Sequence, residues 1–87
     1  MNGLRKKHRK ILASVFSSPT RSNLLWRDIE SLFTALGARK ENSRGSAVAF
    51  YLCGKKLNLH TPHPQKEAKK YQIDKIREFL IDIGITP

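Results

Sequence analysis

Apolar residues recur along this chain with two different periods, and the change between them divides it into regions. From residue 4 to 17, Leu4, Ile11, Leu12, Val15 and Phe16 fall on one face of a helix, with Arg5, Lys6, Arg9 and Lys10 towards the other. The spacing predicts an amphipathic helix with a basic outer side. It ends in "SSPT", residues 17 to 20, because Pro19 disfavours the helical region at the residue before it. His8 lies at the edge of the stripe, where a partly buried structural histidine is expected. From residue 25 to 36, Leu25, Ile29, Leu32, Phe33 and Leu36 repeat the pattern. Asp28 and Glu30 are expected in the first turn, where the helix dipole favours acids, and Gly37 is the natural stop. Trp26 stands at the mouth of this helix. An indole there either anchors the core or stacks on a base, and the amphipathic setting favours the core.

The period then drops to two. Val48, Phe50 and Leu52 face one way, and Ala47, Ala49 and Tyr51 the other. Cys53-Gly54 reads as a turn, and beyond it Leu57 and Leu59 alternate with Lys56, Asn58 and His60. A two-residue loop at Cys53-Gly54 sets Phe50 opposite Leu57, Val48 opposite Leu59, Tyr51 opposite Lys56 and Ala47 opposite His60. A loop at Gly54-Lys55 sets His60 opposite Ala49 instead. Either register leaves His60 on the face away from the apolar pairs. Residues 38 to 43 suit a short polar first strand before a turn at Arg44-Gly45. The helical period returns over residues 72 to 83, with Ile73, Ile76, Phe79, Leu80 and Ile83 as the stripe, Gly84 as the cap and Ile85 folding back on the last turn. The order is helix, helix, two or three antiparallel strands, helix. This is an α+β arrangement in which helices cover one sheet face and leave the other open.

Length and charge narrow the picture. A chain of 87 residues supports one domain, here 1–87, with a thin core. A hydrophobic content of 39% is too high for a disordered tail. Seventeen Lys and Arg against seven Asp and Glu give a net charge of +10, which draws polyanions. Nucleic acid is the first partner to consider, an acidic membrane surface the second and an acidic protein the third. The lone Cys53 forms no internal disulfide and no Cys-x-x-Cys zinc pair, and it fits a reducing cytoplasm. No apolar run approaches the length of a membrane span, and the charge-interrupted N-terminus does not read as a signal peptide.

Two of the three histidines lie in "LHTPHPQKE", residues 59 to 67. His60 stands on the open face among small side chains, with Tyr51 and Lys56 further along. His63 follows between Pro62 and Pro64, which stiffen the segment. Lys66, Lys69 and Lys70 come next, and Arg44, Lys55 and Lys56 are expected near in space. Two imidazoles beside a basic patch suit RNA cleavage without metal or other cofactor. One takes the proton of the ribose 2′-OH, the other protonates the leaving 5′ oxygen, and a cation stabilises the phosphorane. The plainer reading is a rigid connector whose histidines cap or bridge, beside a solvated lysine face. Zinc is not expected, since Glu67 is the only acid near the two histidines.

"TPHPQKEAKKYQIDKIREFLIDIGI", residues 61 to 85, resembles the C-terminal signature of HicA toxins: a Pro-His-Pro segment, a Lys-Glu pair, then a helix ending in Gly and an aliphatic residue. "RDIESLFTALGA", residues 27 to 38, is similar to the family's first helix, and "RGSAVAFYL", residues 44 to 52, to its glycine-serine strand. The helix at 4–17 resembles the N-terminal extension of longer members, placed before a core at 25–85. The resemblance implies a double-stranded-RNA-binding-domain-like fold, α-α-β-β-β-α, with a three-stranded antiparallel sheet. It implies an mRNA-cleaving toxin of a toxin–antitoxin pair, whose HicB-type antitoxin covers the active site. In such a toxin RNA contacts would come from Arg44, Ser46, Lys55, Lys56, Lys66, Lys69 and Lys70; His63 would be the family's own Pro-His-Pro residue, and the hairpin register adds His60 as its catalytic partner.

One departure stands out. The short-form toxins carry their catalytic histidine directly after Gly-Ser, and here Gly45-Ser46 is followed by Ala47. Three readings compete: His60 takes over in this branch, the chain is an inactive relative, or Ala47 is an introduced substitution. Two functions remain beside the toxin. One is a non-catalytic RNA-binding module of the same fold, since duplex RNA is read by shape and backbone contacts. The other is an adaptor for an acidic protein partner.

Overall fold

The computed structural model describes residues 4–87. Helix α1 spans Lys6–Val15 and α2 spans Trp26–Ala35. Strands β1 (Arg39–Asn42), β2 (Ala47–Leu52) and β3 (Lys55–His60) follow, and α3 (Lys70–Asp82) closes the chain. The strands form one antiparallel sheet in the order β1-β2-β3. This is the α+β order that the two hydrophobic periods predict, and the polar first strand is present with all four residues exposed.

Register follows from the β2–β3 loop. Cys53 and Gly54 both have positive φ, 53° and 75°, as a type I′ two-residue turn requires. The pairs are Phe50 with Leu57, Val48 with Leu59, Tyr51 with Lys56 and Ala47 with His60. The alternative loop at Gly54-Lys55 is not formed. Val48, Phe50, Leu52, Leu57 and Leu59 are buried under the helices, where the Phe50 and Phe33 rings stack with centroids 4.5 Å apart.

Each helix enters the core by its apolar stripe. Ile11, Leu12 and Val15 of α1, Ile29, Leu32 and Phe33 of α2, and Ile73, Ile76, Phe79 and Leu80 of α3 are buried in one cluster with the sheet. Leu24, rather than Leu25, joins that cluster at the start of α2. Trp26 is 6% exposed, with its ring tilted against Phe50 at 6.3 Å, so the core placement of the indole holds. Asp28 lies in the first turn of α2 as expected. Glu30 lies just past that turn, which runs from Trp26 to Ile29, and its carboxylate reaches Lys40 Nζ of β1 at 2.5 Å. His8 is half-buried and bonds Ser31 Oγ of α2 at 2.9 Å through Nε2, a structural role.

Two polar arrangements join distant segments. Trp26 N–H donates to Lys66 O, and Ala68 N–H donates to Leu24 O, both at 2.8 Å, so the chain before α2 pairs with the segment before α3. Arg77 of α3 donates to Val15 O at 3.3 Å, Ser17 O at 3.4 Å and Thr20 Oγ1 at 3.1 Å, and it pairs with Asp74. Its guanidinium thereby satisfies the Val15 carbonyl, which the end of α1 leaves without an intrahelical donor, and the Ser17 carbonyl just beyond the helix. Helix α3 starts two residues ahead of the predicted span and ends in a Schellman motif. Ile85 N–H donates to Leu80 O and Gly84 N–H to Ile81 O, with Gly84 at φ 81°. Among the described residues, no helix is long and apolar enough to cross a membrane.

Candidate active site

The open sheet face is a floor of small residues with taller walls. Ala47 and Ala49 lie on the central strand, with His60 and Asn58 opposite them on β3 and Glu41 opposite Ala49 on β1. The walls shade the floor enough to leave Ala49 only 8% exposed. Tyr51 closes one end of the floor. Arg39 Cζ lies 4.5 Å from its ring centroid and Lys56 Nζ 5.6 Å, both within cation–π range.

His60 is the last residue of β3, and its setting follows from the ladder. Thr61 N–H donates to Ser46 O at 2.8 Å, which marks Ser46 and Thr61 as a hydrogen-bonded pair. Pairs alternate along an antiparallel ladder, so Ala47 and His60 form a close, non-bonded pair with Cα atoms about 4.5 Å apart. The same alternation turns the carbonyls of Asn58 and His60 outward from the sheet edge. Both find donors on α3. Lys75 Nζ donates to Asn58 O at 3.0 Å, and Gln72 Nε2 to His60 O at 2.6 Å. Gln72 Oε1 accepts from Lys69 N–H at 2.9 Å. An ammonium at the N-cap has no acceptor, so the carboxamide of Gln72 supplies the side-chain acceptor at this helix start and clamps the backbone of His60 as well. The ring of His60 is exposed, with Ser46 Oγ 3.3 Å from Nδ1.

Two depressions meet at His60. One, of about 440 Å³, runs over Ala47 and Ala49 and is bordered by Glu41, Tyr51, Lys56, Asn58 and Lys75. The other, of about 280 Å³, is lined by Ser46, His63, Lys69, Tyr71 and Gln72. His60, His63, Ser46 and Lys69 therefore share a cleft, with Ala47 and Lys56 on the adjoining floor. The remaining expected residues lie elsewhere. Lys55 pairs with Leu52 at the hairpin end and has the parity of Leu57, so it is not on the face of His60. Lys66 borders a separate groove with Leu25, Trp26 and Pro62. Arg44, in the β1–β2 turn, and Lys70, the first residue of α3, are exposed but border neither depression.

Sequence reasoning missed Gln72, Lys75 and Tyr71. Gln72 had a readable signal, because it falls in step with Ile76, Phe79 and Ile83 on the apolar stripe, and it is 2% exposed. Lys75 had none. Among the described residues, no three His, Cys, Asp or Glu side chains gather in a metal-binding group.

Fold and face together define a small basic α+β protein of double-stranded-RNA-binding-domain type, with an imidazole-bearing cleft on its open sheet. A family model described as "HicA toxin of bacterial toxin-antitoxin" matches residues 26–85, and the chain belongs to that family. The match runs from the start of α2 to the end of the Schellman motif and leaves α1 outside. No match is found among curated proteins or among solved structures. As a HicA-family member the chain belongs with toxins of toxin–antitoxin systems, a family associated in general with an RNA substrate and an antitoxin partner.

Proposed function

We propose that this chain is the toxin of a type II toxin–antitoxin pair and a metal-independent endoribonuclease acting on mRNA in the cytoplasm, with His60 and His63 as its acid–base pair. The observation that carries the reading is the pairing of His60 with Ala47. The ring stands across the ladder from the position where short-form toxins hold their histidine, in a cleft it shares with His63. In the reaction the ribose 2′ oxygen attacks the adjacent phosphorus and gives its proton to one imidazole. The 5′ oxygen leaves with a proton from the other, so the products are a cyclic 2′,3′-phosphate and a 5′-hydroxyl. Ser46 holds His60 Nδ1, which leaves Nε2 for the substrate. Lys69 and Lys75 border the two depressions where charge would build on the phosphorane. A HicB-type antitoxin would act by covering this face.

Single-stranded RNA incubated with chelator and the purified chain, beside His60→Ala and Ala47→His, tests the reading. Cleavage by the unaltered chain and its loss in His60→Ala are expected. Cleavage only by Ala47→His would make position 47 the catalytic site and the chain a disarmed toxin. No cleavage by any variant would favour the second reading, a non-catalytic RNA-binding module, which the alanine at position 47 itself supports.

A further inference from the structure

Helix α1 is a poor helix for its charge. Arg5, Lys6, Lys7, Arg9 and Lys10 are all exposed and lie at or within its first half. Arg5 with Arg9, Lys6 with Arg9 and Lys10, and Lys7 with Lys10 are like-charged neighbours three or four residues apart, a spacing that destabilises a helix. They crowd the positive end of the helix dipole, where acids belong, and the first turn holds none. Arg5 at the N-cap gives no side-chain hydrogen bond. No ion pair among the described residues involves any of the five.

This charge is not shared with the rest of the chain. Before residue 26 there are six Lys and Arg and no acid, so that segment carries +6 of the net +10. The family-matched part, with eleven cations against seven acids, carries only +4. Seating Ile11, Leu12 and Val15 in the core requires none of these cations, since mixed charges would cover the same stripe. A local choice that opposes folding without a structural return marks a functional surface. Because α1 packs on α2 and α3, that surface belongs to the helical layer, apart from the open face.

We infer that the outer face of α1 is a second docking surface, which grips the phosphate backbone of the RNA strand flanking the segment held at the cleft. The ligand rests on the RNA reading above, but the inference does not require cleavage. Contacts from this face are to phosphates, so they add affinity and salt dependence without sequence preference.

The test uses the full chain and 2′-O-methyl RNA, which lacks the attacking hydroxyl and so reports binding whether or not the chain is a nuclease. A long single strand and a short one, just filling the cleft, are titrated at several salt concentrations. The variant is Lys6→Gln, Lys7→Gln, Arg9→Gln and Lys10→Gln combined, which keeps helix-favouring side chains. For the long strand the slope of log affinity against log salt is expected to fall by roughly 2 to 3, about 0.7 for each lost phosphate contact. The short strand should bind both proteins alike, and the variant should melt at the same or a higher temperature. An unchanged slope on the long strand overturns the inference. So does a lower melting temperature, which would make the cations structural. Loss of binding to phosphatidylserine vesicles with RNA affinity unchanged would overturn it in favour of a membrane surface.

Discussion

At the scale of single residues, Gln72 links the fold to the chemistry. It is the only buried polar side chain among the described residues, and both ends of its carboxamide are engaged, one on the backbone of His60 and one on the start of α3. A leucine there would fill similar volume but leave two polar groups unpaired, at a cost of about 1–3 kcal/mol each. Glutamate is the more informative change. It keeps the acceptor for Lys69 N–H and loses the donor to His60 O, so the helix start is retained while the histidine is released. Gln72→Glu is expected to melt well below the wild type, because its ionised form buries a carboxylate against His60 O, and to cleave RNA with a reduced kcat and an altered pH profile. If the glutamate variant keeps both the wild-type rate and its pH profile, Gln72 does not position His60. Part of this role is legible in the helical period, since a polar residue in phase with Ile76 and Ile83 has to be bonded if it is buried. Its bond to Lys69 N–H is local to the helix start, whereas its bond to His60 O could not be read, because it depends on α3 lying along the edge of β3. Lys75 was illegible for the same reason. The misplacement of Lys55 is different: its parity with Leu57 was readable from the period of two alone.

Among the elements, β2 and β3 were the most legible in their faces: either two-residue loop pairs apolar residues across the strands, and the structure takes the register of the Cys53-Gly54 turn. The end of α3 was equally plain, since Gly84 and Ile85 supply both parts of a Schellman motif. The tie between α1 and α3 was not, because it rests on a side chain reaching carbonyls far away in sequence. Arg77 is the clearest case. Nothing in its spacing sets it apart from other cations on the helix, yet it donates to Val15 O at the end of α1, to Ser17 O just beyond it and to Thr20 Oγ1. Hydrogen bonds to a charged donor are worth about 1.5–3 kcal/mol, and the ion pair with the half-exposed Asp74 adds little beyond them. Arg77→Ala is therefore expected to lower stability by roughly 2 kcal/mol in urea, and Arg77→Lys by nearly as much, because an ammonium cannot span three acceptors in a planar fork. Equal midpoints for Arg77→Lys and the wild type would remove the geometric part of this argument.

At the scale of the whole molecule, the two sides of α1 have opposite consequences for stability. Its outer side carries like charges that work against folding, whereas its inner side gives Ile11, Leu12 and Val15 to the same core that holds the sheet. Burying three such side chains contributes about 5–9 kcal/mol. A small domain as a whole holds only about 5–15 kcal/mol. The family match begins at residue 26, but a chain lacking residues 4–20 would expose the facing sides of α2 and α3 and leave Arg77 without the carbonyls it caps. Such a truncated chain is expected to lose its cooperative urea transition, or to retain one only at a far lower midpoint, with dye binding that reports exposed apolar surface. The glutamine variant of the outer face should keep the full transition. A truncated chain that unfolds cooperatively near the wild-type midpoint would show that the matched region folds alone. In that case α1 would be an appended docking helix and no part of the core on which the cleft is built.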